Sequence, residues 1–240
     1  MANVDWHFFS NVLDVNYTFR ALIPDKFAED KPVKLLYLLH GLSDDYTNWT
    51  RMTSVERYWE KYSKELVIVM PDGGRSFYSD AKDGHGGNYE SFFLKELFPY
   101  VEAHLPVSFK RDDRAICGLS MGGYGALRLG LKNPGYFGAI GSFSGAVDSR
   151  RYLAMPEFSA RLWDEDSRLE TIADGLAVSD FPRLKLICGT EDFLLEHNRS
   201  FIGWLAKKGV PCDYTEYPGN HNWLFWDTHL PEMLEFIMGR

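Results

Sequence analysis

Basic charge is in deficit along this 240-residue chain, where 26 Lys and Arg stand against 34 Asp and Glu for a formal net charge of −8. That sign repels phosphate backbones and anionic lipid surfaces, so neither nucleic acid nor membrane is an expected partner. Cysteine is scarce, with only three residues, Cys117, Cys188 and Cys212. Their odd number and the lack of any C-x-x-C spacing argue against a disulfide framework and a zinc site, and no metal is expected. Cys117 and Cys188 lie in apolar runs and read as small buried hydrophobes. Apolar runs such as Leu35 to Leu39 are far too short to span a bilayer. The opening Met1-Ala2-Asn3-Val4-Asp5-Trp6 has no basic segment followed by an apolar one, so a signal peptide is not visible and a cytoplasmic location is expected. Repeats, low-complexity tracts and Pro/Gly/Ser-rich linkers are also missing. A single domain over residues 1–240 is the ordinary solution at this length.

What is present can fill a core: 45% of residues are hydrophobic and 15% aromatic, far from the signature of disorder. Short apolar runs alternate with longer amphipathic ones, the rhythm of βαβ units. Val12 to Ile23 alternates like an antiparallel strand and stops at Pro24-Asp25. Val33 to Leu39, Leu66 to Met70, Ala115 to Cys117, Ala139 to Phe143, Leu184 to Cys188 and Asp213 to Tyr217 read as further strands. Most are apolar on both sides, as parallel strands covered by helices must be. Helical periodicity runs over Val55 to Lys64, Tyr89 to His104, Met121 to Lys132, Leu194 to Lys208 and Trp223 to Met238. Asn133-Pro134-Gly135 and Lys208-Gly209-Val210-Pro211 are stops for two of these helices. The pattern predicts an α/β fold, a mostly parallel sheet with helices on both faces. Residues 145–182 fit it least, mixing Arg150, Arg151, Arg161 and Asp164 with Phe158 and Trp163. They read as a small excursion over the carboxyl edge of the sheet, where such folds place ligands.

Gly118-Leu119-Ser120-Met121-Gly122 matches G-x-S-x-G, a strained strand-to-helix turn that presents a serine hydroxyl. Alone it is weak, but its context agrees: Arg114 to Cys117 supplies the strand, and Gly123 to Leu129 opens a helix with small residues where it passes that strand. Ser120 is the candidate nucleophile. A serine hydroxyl needs an imidazole to take its proton and a carboxylate to fix the imidazole tautomer. In this arrangement the chain order is serine, acid, histidine. Only His197, His221 and His229 follow Ser120. His197 falls inside one amphipathic helix and His229 late in another, whereas His221 lies in a loop between the last strand and the last helix, so His221 is the candidate base. The strand ending Cys188-Gly189-Thr190-Glu191-Asp192 delivers two carboxylates, of which only one can face His221. Asp192, next to Phe193-Leu194-Leu195, suits a partly desolvated acid; Glu191 reads as solvated, and Asp148 is the alternative. A tetrahedral intermediate requires two fixed donors. Met121 N–H, following the nucleophile, and Leu42 N–H, in His40-Gly41-Leu42 after the Leu35 to Leu39 strand, are the candidates for this oxyanion hole, with His40 read as a structural hydrogen-bonding residue.

Taken together, Leu38-Leu39-His40-Gly41-Leu42, Asn48-Trp49, Met70-Pro71-Asp72, Phe77-Tyr78-Ser79-Asp80, the glycine-rich run from Gly118 to Ala126, Gly189-Thr190-Glu191-Asp192-Phe193 and His221-Asn222-Trp223 resemble the esterase D-like family. The similarity runs in order from about Asn11 to Phe236. Within that family the chain is most similar to tributyrin esterases and small acetyl or feruloyl esterases, and more distantly to S-formylglutathione hydrolases and mycolyltransferases. The resemblance implies the α/β-hydrolase fold and cofactor-free hydrolysis of a small-molecule carboxylic ester. It carries the same roles onto Ser120, Asp192, His221, Leu42 and Met121. Two departures stand out. Feruloyl and acetylxylan esterases of this family are commonly secreted, and no signal or carbohydrate-binding module is visible here. In the S-formylglutathione hydrolases a cysteine closely follows the glycine of the hole loop, where this chain reads Gly41-Leu42-Ser43-Asp44.

Short-chain acetyl or butyryl esters, with acetylated or feruloylated sugars beside them, are therefore the expected substrates. A thioesterase or acyltransferase with the same triad is the alternative, since an acyl-enzyme can be released by several nucleophiles. A non-catalytic protein of this fold would ordinarily show a lost triad member, and none is lost. The glycines from Gly118 to Gly125 do not form G-x-G-x-x-G, which disfavours a dinucleotide site. Trp163, Trp223, Phe225 and Trp226 could line a pocket, but large aromatics more often pack in the core. Acyl and alcohol specificity and homo-oligomerisation stay open at this level.

Overall fold

The computed structural model describes residues 1–27, 33–62, 64–82, 87–148, 152 and 167–240. Eight strands form one sheet in the order β1-β2-β4-β3-β5-β6-β7-β8. They are β1 (Ala2–Ser10), β2 (Val15–Ile23), β3 (Lys34–Leu39), β4 (Leu66–Pro71), β5 (Arg114–Leu119), β6 (Ala139–Phe143), β7 (Arg183–Gly189) and β8 (Asp213–Tyr217). β1 and β2 pair antiparallel, β2 joins β4 antiparallel, and every pairing from β4 onward is parallel. This is the α/β-hydrolase fold.

The two faces of the sheet carry separate cores, and strand alternation assigns side chains to them. Leu35, Tyr37 and Leu39 of β3 face one cluster, Leu36 and Leu38 the other. The first cluster is covered by α3 (Tyr89–Phe92) and α4 (Phe98–His104), joined by a π-helical turn at Phe93–Leu97, together with α5 (Met121–Lys132), α6 (Leu169–Asp174) and α7 (Leu195–Lys208). The second is covered by α1 (Asn48–Met52), α2 (Val55–Trp59) and α8 (Trp223–Met238). Strands buried on both faces must be apolar throughout, and β4, Leu-Val-Ile-Val-Met-Pro, is buried at every position.

The structure departs from the sequence reading at several places. β1 was not foreseen, although its half-buried Val4, Trp6 and Phe8 alternate with exposed Asn3, Asp5, His7 and Phe9 as period-2 pleating requires. The strand expected from Val12 starts at Val15, because residues 11–14 form the hairpin turn, with Asp14 at φ 57° and the Glu96 carboxylate accepting the Asn11 and Val12 amides. The helix expected over Val55 to Lys64 closes as a 3₁₀ turn at Glu60–Tyr62. The helices at Met121–Lys132 and Trp223–Met238 keep the bounds read from the sequence. Within the 145–182 excursion, Arg150, Arg151, Phe158, Arg161, Trp163 and Asp164 lie outside the described residues.

Candidate active site

The side chains singled out in the sequence converge on the carboxyl edge of the sheet, each on the loop after a different parallel strand. Ser120 follows β5 with φ 52° and ψ −115°, a conformation costly for any residue with a Cβ, by about 1–3 kcal/mol. The turn closes only because its flanks are glycine. A Cβ on Gly122 would stand 2.5 Å from the His40 carbonyl oxygen, and one on Gly118 2.4 Å from the Gly122 carbonyl. The strained turn lifts the hydroxyl off the strand end and directs it toward β8.

His221, after β8, meets it there. Its Nε2 lies 3.0 Å from Ser120 Oγ, and its Nδ1 lies 2.8 Å from Asp192 Oδ2. A carboxylate only accepts, so Nδ1 carries the proton and Nε2 presents its lone pair to the serine hydroxyl. Asp192 is buried, and its other oxygen accepts the Leu194 N–H at 2.8 Å. Burial pushes its pKa up, but hydrogen bonds from His221, Ser144 and Leu194 outweigh that and hold the carboxyl below its usual range. The imidazole sits between two rings: buried Trp226, edge-on at 5.0 Å between centroids, and exposed Phe193 at 4.5 Å.

The loops carrying acid and base are laced together. Glu191 N–H donates to the Gly219 carbonyl at 3.0 Å, and the Glu191 carboxylate accepts the Gly219 N–H in return. Glu191 is therefore exposed but not idle, a correction to its reading as merely solvated. Asp148 is not the partner of His221, whose Nδ1 is occupied by Asp192. His197 lies on α7, and His229 stacks on Tyr217 at 4.1 Å, where burial lowers its pKa. Of the three candidate rings, it is His221 that meets Ser120 Oγ.

Two backbone amides are aimed by their neighbours' carbonyls, because C=O and the following N–H point in opposite directions across a trans peptide. The Ser120 carbonyl accepts from Tyr124 N–H at 3.1 Å and Ala146 N–H at 3.0 Å. Met121 N–H is thereby turned out of the helix start, where it has no intrahelical partner. The Gly41 carbonyl accepts from His40 Nδ1–H at 2.8 Å and Asp44 N–H at 3.3 Å, which turns Leu42 N–H the other way. His40 is wholly buried, and its Nε2 accepts the Gly73 N–H at 2.8 Å, so the ring is the neutral Nδ1–H tautomer with no proton left to exchange with substrate. Tyr78 OH donates to the His40 carbonyl at 2.9 Å and completes the support.

Leu42 and Met121 both line a cavity of about 300 Å³ with Ser120 and His221; among the described residues Phe77, Ala146, Tyr152 and Phe193 also line it. Phe225 and Trp226 are buried core residues and do not line this cavity, and Trp223 packs edge-on against Trp49. The lining residues Ala146 and Tyr152 were missed because their part of the chain has no strand or helix period to place it. Phe77 belonged to a recognised motif, but nothing in that motif shows that Phe77 takes φ 52° and packs on Tyr152 at 4.9 Å between ring centroids. Among the described residues no group of His, Cys, Asp and Glu could hold a metal ion, and no helix is long and apolar enough to cross a membrane.

Fold and site define a serine hydrolase of the α/β-hydrolase class, acting on carboxylic ester bonds. The chain belongs to the Esterase family, whose model, described as "Putative esterase", matches residues 10–237. It is 29% identical to an acetyl esterase of Caldicellulosiruptor saccharolyticus over 99% of this chain and 98% of that protein. Among solved structures it is similar to the fluorophosphonate-binding serine hydrolase FphF of Staphylococcus aureus, with a TM-score of 0.89, 28% identity and 98% of both chains covered. It is also similar to the S-formylglutathione hydrolase FrmB of the same organism, with a TM-score of 0.86, 28% identity and 98% of both chains covered.

Proposed function

We propose that this chain hydrolyses small esters with short acyl groups, acetates and butyrates foremost, through an acyl-enzyme on Ser120. His221 Nε2 takes the hydroxyl proton as Ser120 Oγ attacks the ester carbonyl. Asp192 holds the imidazole in the reactive tautomer and stabilises the imidazolium that forms. The oxyanion is received by the amides of Leu42 and Met121. Collapse of the tetrahedral intermediate expels the alcohol, which takes the proton back from His221. Water, activated by the same imidazole, then attacks the acyl-enzyme and releases the acid.

The observation that carries this reading is the continuous Asp192–His221–Ser120 hydrogen-bonded chain opening on one small apolar cavity. Its volume of about 300 Å³ is at the small end of ligand sites, which run to about 1,000 Å³. Each buried CH₂ contributes about 0.8 kcal/mol only while there is wall to meet it, so rates should peak at short chains. The similarity to an acetyl esterase supports the same acyl class. The similarity to an S-formylglutathione hydrolase supports a second reading, thioester hydrolysis by the same triad. The net charge of −8 favours a small-molecule partner over nucleic acid or an anionic membrane, and a cytoplasmic location is part of this reading.

The test is kcat/KM across p-nitrophenyl esters from two to twelve carbons, run beside S-formylglutathione, with fluorophosphonate labelling of the wild type and of Ser120→Ala. A maximum at short acyl groups and labelling confined to Ser120 are expected. A rate still rising at twelve carbons, or a strong preference for the thioester, would overturn the substrate assignment. Labelling that survives in Ser120→Ala would overturn the nucleophile.

A further inference from the structure

Phe193 combines exposure with a place in the site. It is 57% exposed, yet it lines the same cavity as Ser120 and packs on the imidazole of His221 at 4.5 Å between ring centroids, with the planes 48° apart. The reaction geometry says which part of an ester would cover it. The carbonyl carbon must lie on Ser120 Oγ and its oxygen between the Leu42 and Met121 amides. The alcohol oxygen must lie within reach of His221 Nε2, which returns the proton to it. Acyl and alcohol portions therefore leave the carbon toward different walls. Phe193 packs on the imidazole itself, and so borders the departing alcohol that the imidazole protonates, whereas Phe77 packs on Tyr152.

We infer that Phe193 is the platform for the alcohol portion of the ester, selecting leaving groups that present a flat or apolar face, such as an aryl ring or the face of a sugar. This rests on the serine esterase reading above and adds the alcohol side to it. In the step concerned, the Ser120 Oγ–acyl bond forms and the acyl–alcohol C–O bond breaks. The Ser120 proton passes through His221 to the departing oxygen, and the alcohol leaves neutral from the face of Phe193. Deacylation follows with the alcohol gone and water in its place. A platform role is therefore confined to acylation, whereas restraint of His221 would act in both steps, since the imidazole serves in each.

The experiment compares benzyl acetate with methyl acetate, two esters of alkyl alcohols of similar acidity that pass through one acetyl-enzyme. Deacylation is measured separately from the steady state after a p-nitrophenyl acetate burst. The wild type should prefer benzyl acetate in kcat/KM. Phe193→Ala should shrink that preference roughly tenfold, the worth of about half a phenyl side chain's apolar cover, and leave deacylation within about twofold. Phe193→Trp should keep the preference, and matched thermal unfolding of both variants would show that the fold is intact. An unchanged benzyl-to-methyl ratio in Phe193→Ala would overturn the inference. So would a parallel fall in acylation and deacylation, which would make Phe193 only a support for His221. A wild type that forms no acetyl-enzyme would instead overturn the esterase reading itself.

Discussion

Asp192→Asn replaces one carboxylate oxygen with an NH₂ group, and the surroundings decide where that group goes. One oxygen accepts the Leu194 N–H at 2.8 Å, a backbone donor in a buried turn, and the other accepts His221 Nδ1–H at 2.8 Å. Turning the NH₂ toward Leu194 sets donor against donor and costs about 2 kcal/mol, which leaves this orientation at roughly 3% of molecules. The favoured orientation points the NH₂ at His221, whose Nδ1 must then accept. The imidazole proton moves to Nε2, and the ring can no longer take the Ser120 proton. Even the minority orientation lacks the negative charge that stabilises the imidazolium, a charge-assisted contact worth about 2–3 kcal/mol. The two effects add to about 4–5 kcal/mol, or roughly a 10³–10⁴-fold loss in kcat/KM. The assay is p-nitrophenyl acetate hydrolysis beside the rate of fluorophosphonate labelling, which should fall in parallel because both report Ser120 activation. Thermal unfolding within a few degrees of wild type would show that the site is otherwise intact. More than a tenth of wild-type activity in Asp192→Asn would refute both the tautomer argument and the choice of acid.

His40→Phe removes the anchor on the Gly41 carbonyl and leaves the Gly73 N–H unmet, so kcat should fall about 10–100-fold with KM little changed; an unaltered kcat would remove His40 from the support of the Leu42 amide. Gly122→Ala sets a Cβ 2.5 Å from the His40 carbonyl oxygen and 2.6 Å from that of Leu39, neither able to yield without moving β3. Its cost should be about 3 kcal/mol, a fall of roughly 6–12 °C in Tm, and a Tm within two degrees of wild type would contradict the contact. Because the folded-state Asp192 carboxyl is held below its usual range, it adds stability that is full above the unfolded value and is lost as pH falls through the folded one. Below about pH 4 the Tm of wild type should therefore drop faster than that of Asp192→Asn, and parallel curves would show that the depression is absent.

The strength of a sequence signal tracked how local its cause was. The helix over Met121–Lys132 kept its bounds because a strained glycine turn starts it and Asn133-Pro134 ends it. Trp223–Met238 kept its own because Asn222 caps it, the side chain accepting the Phe225 N–H at 3.0 Å, and Gly239 closes it in the left-handed conformation. That Ser120, His221 and Asp192 would meet was legible for another reason: chemistry limits which residue types can serve and chain order limits where they fall. The cavity wall had no such rule. Phe77, after β4, meets Ala146 and Tyr152, after β6, only once β3 and β5 are laid between those two strands, and the pairing of strands is a long-range result. Trp226 packs in the core, as large aromatics more often do, and meets the site through its ring edge against His221 and its indole N–H, which donates to Ser144 Oγ at 3.2 Å.

The rigidity of the site follows from the sheet continuing past its own strands. Ser120 N–H donates to Phe143 O at 2.9 Å, Ser144 N–H to Ile187 O at 2.8 Å, and Thr190 N–H to Tyr217 O at 2.8 Å. Each bond is one more rung of a parallel ladder, made by the residue just beyond β5, β6 and β7. At Ser120 and Ser144 the chain then turns sharply, with φ of 52° and 47°. A rung followed at once by a strained turn holds the departing loop at both position and angle, which a flexible loop of the same composition would not do. Asp192 gains the same firmness from the reciprocal Glu191–Gly219 pair, which ties the acid's loop to the loop that carries His221. Strain at Ser120 and Ser144 is thus offset by three ladder bonds accepted on three strands, β6, β7 and β8. Loosening any one rung should degrade the Ser120–His221–Asp192 alignment before it unfolds the sheet.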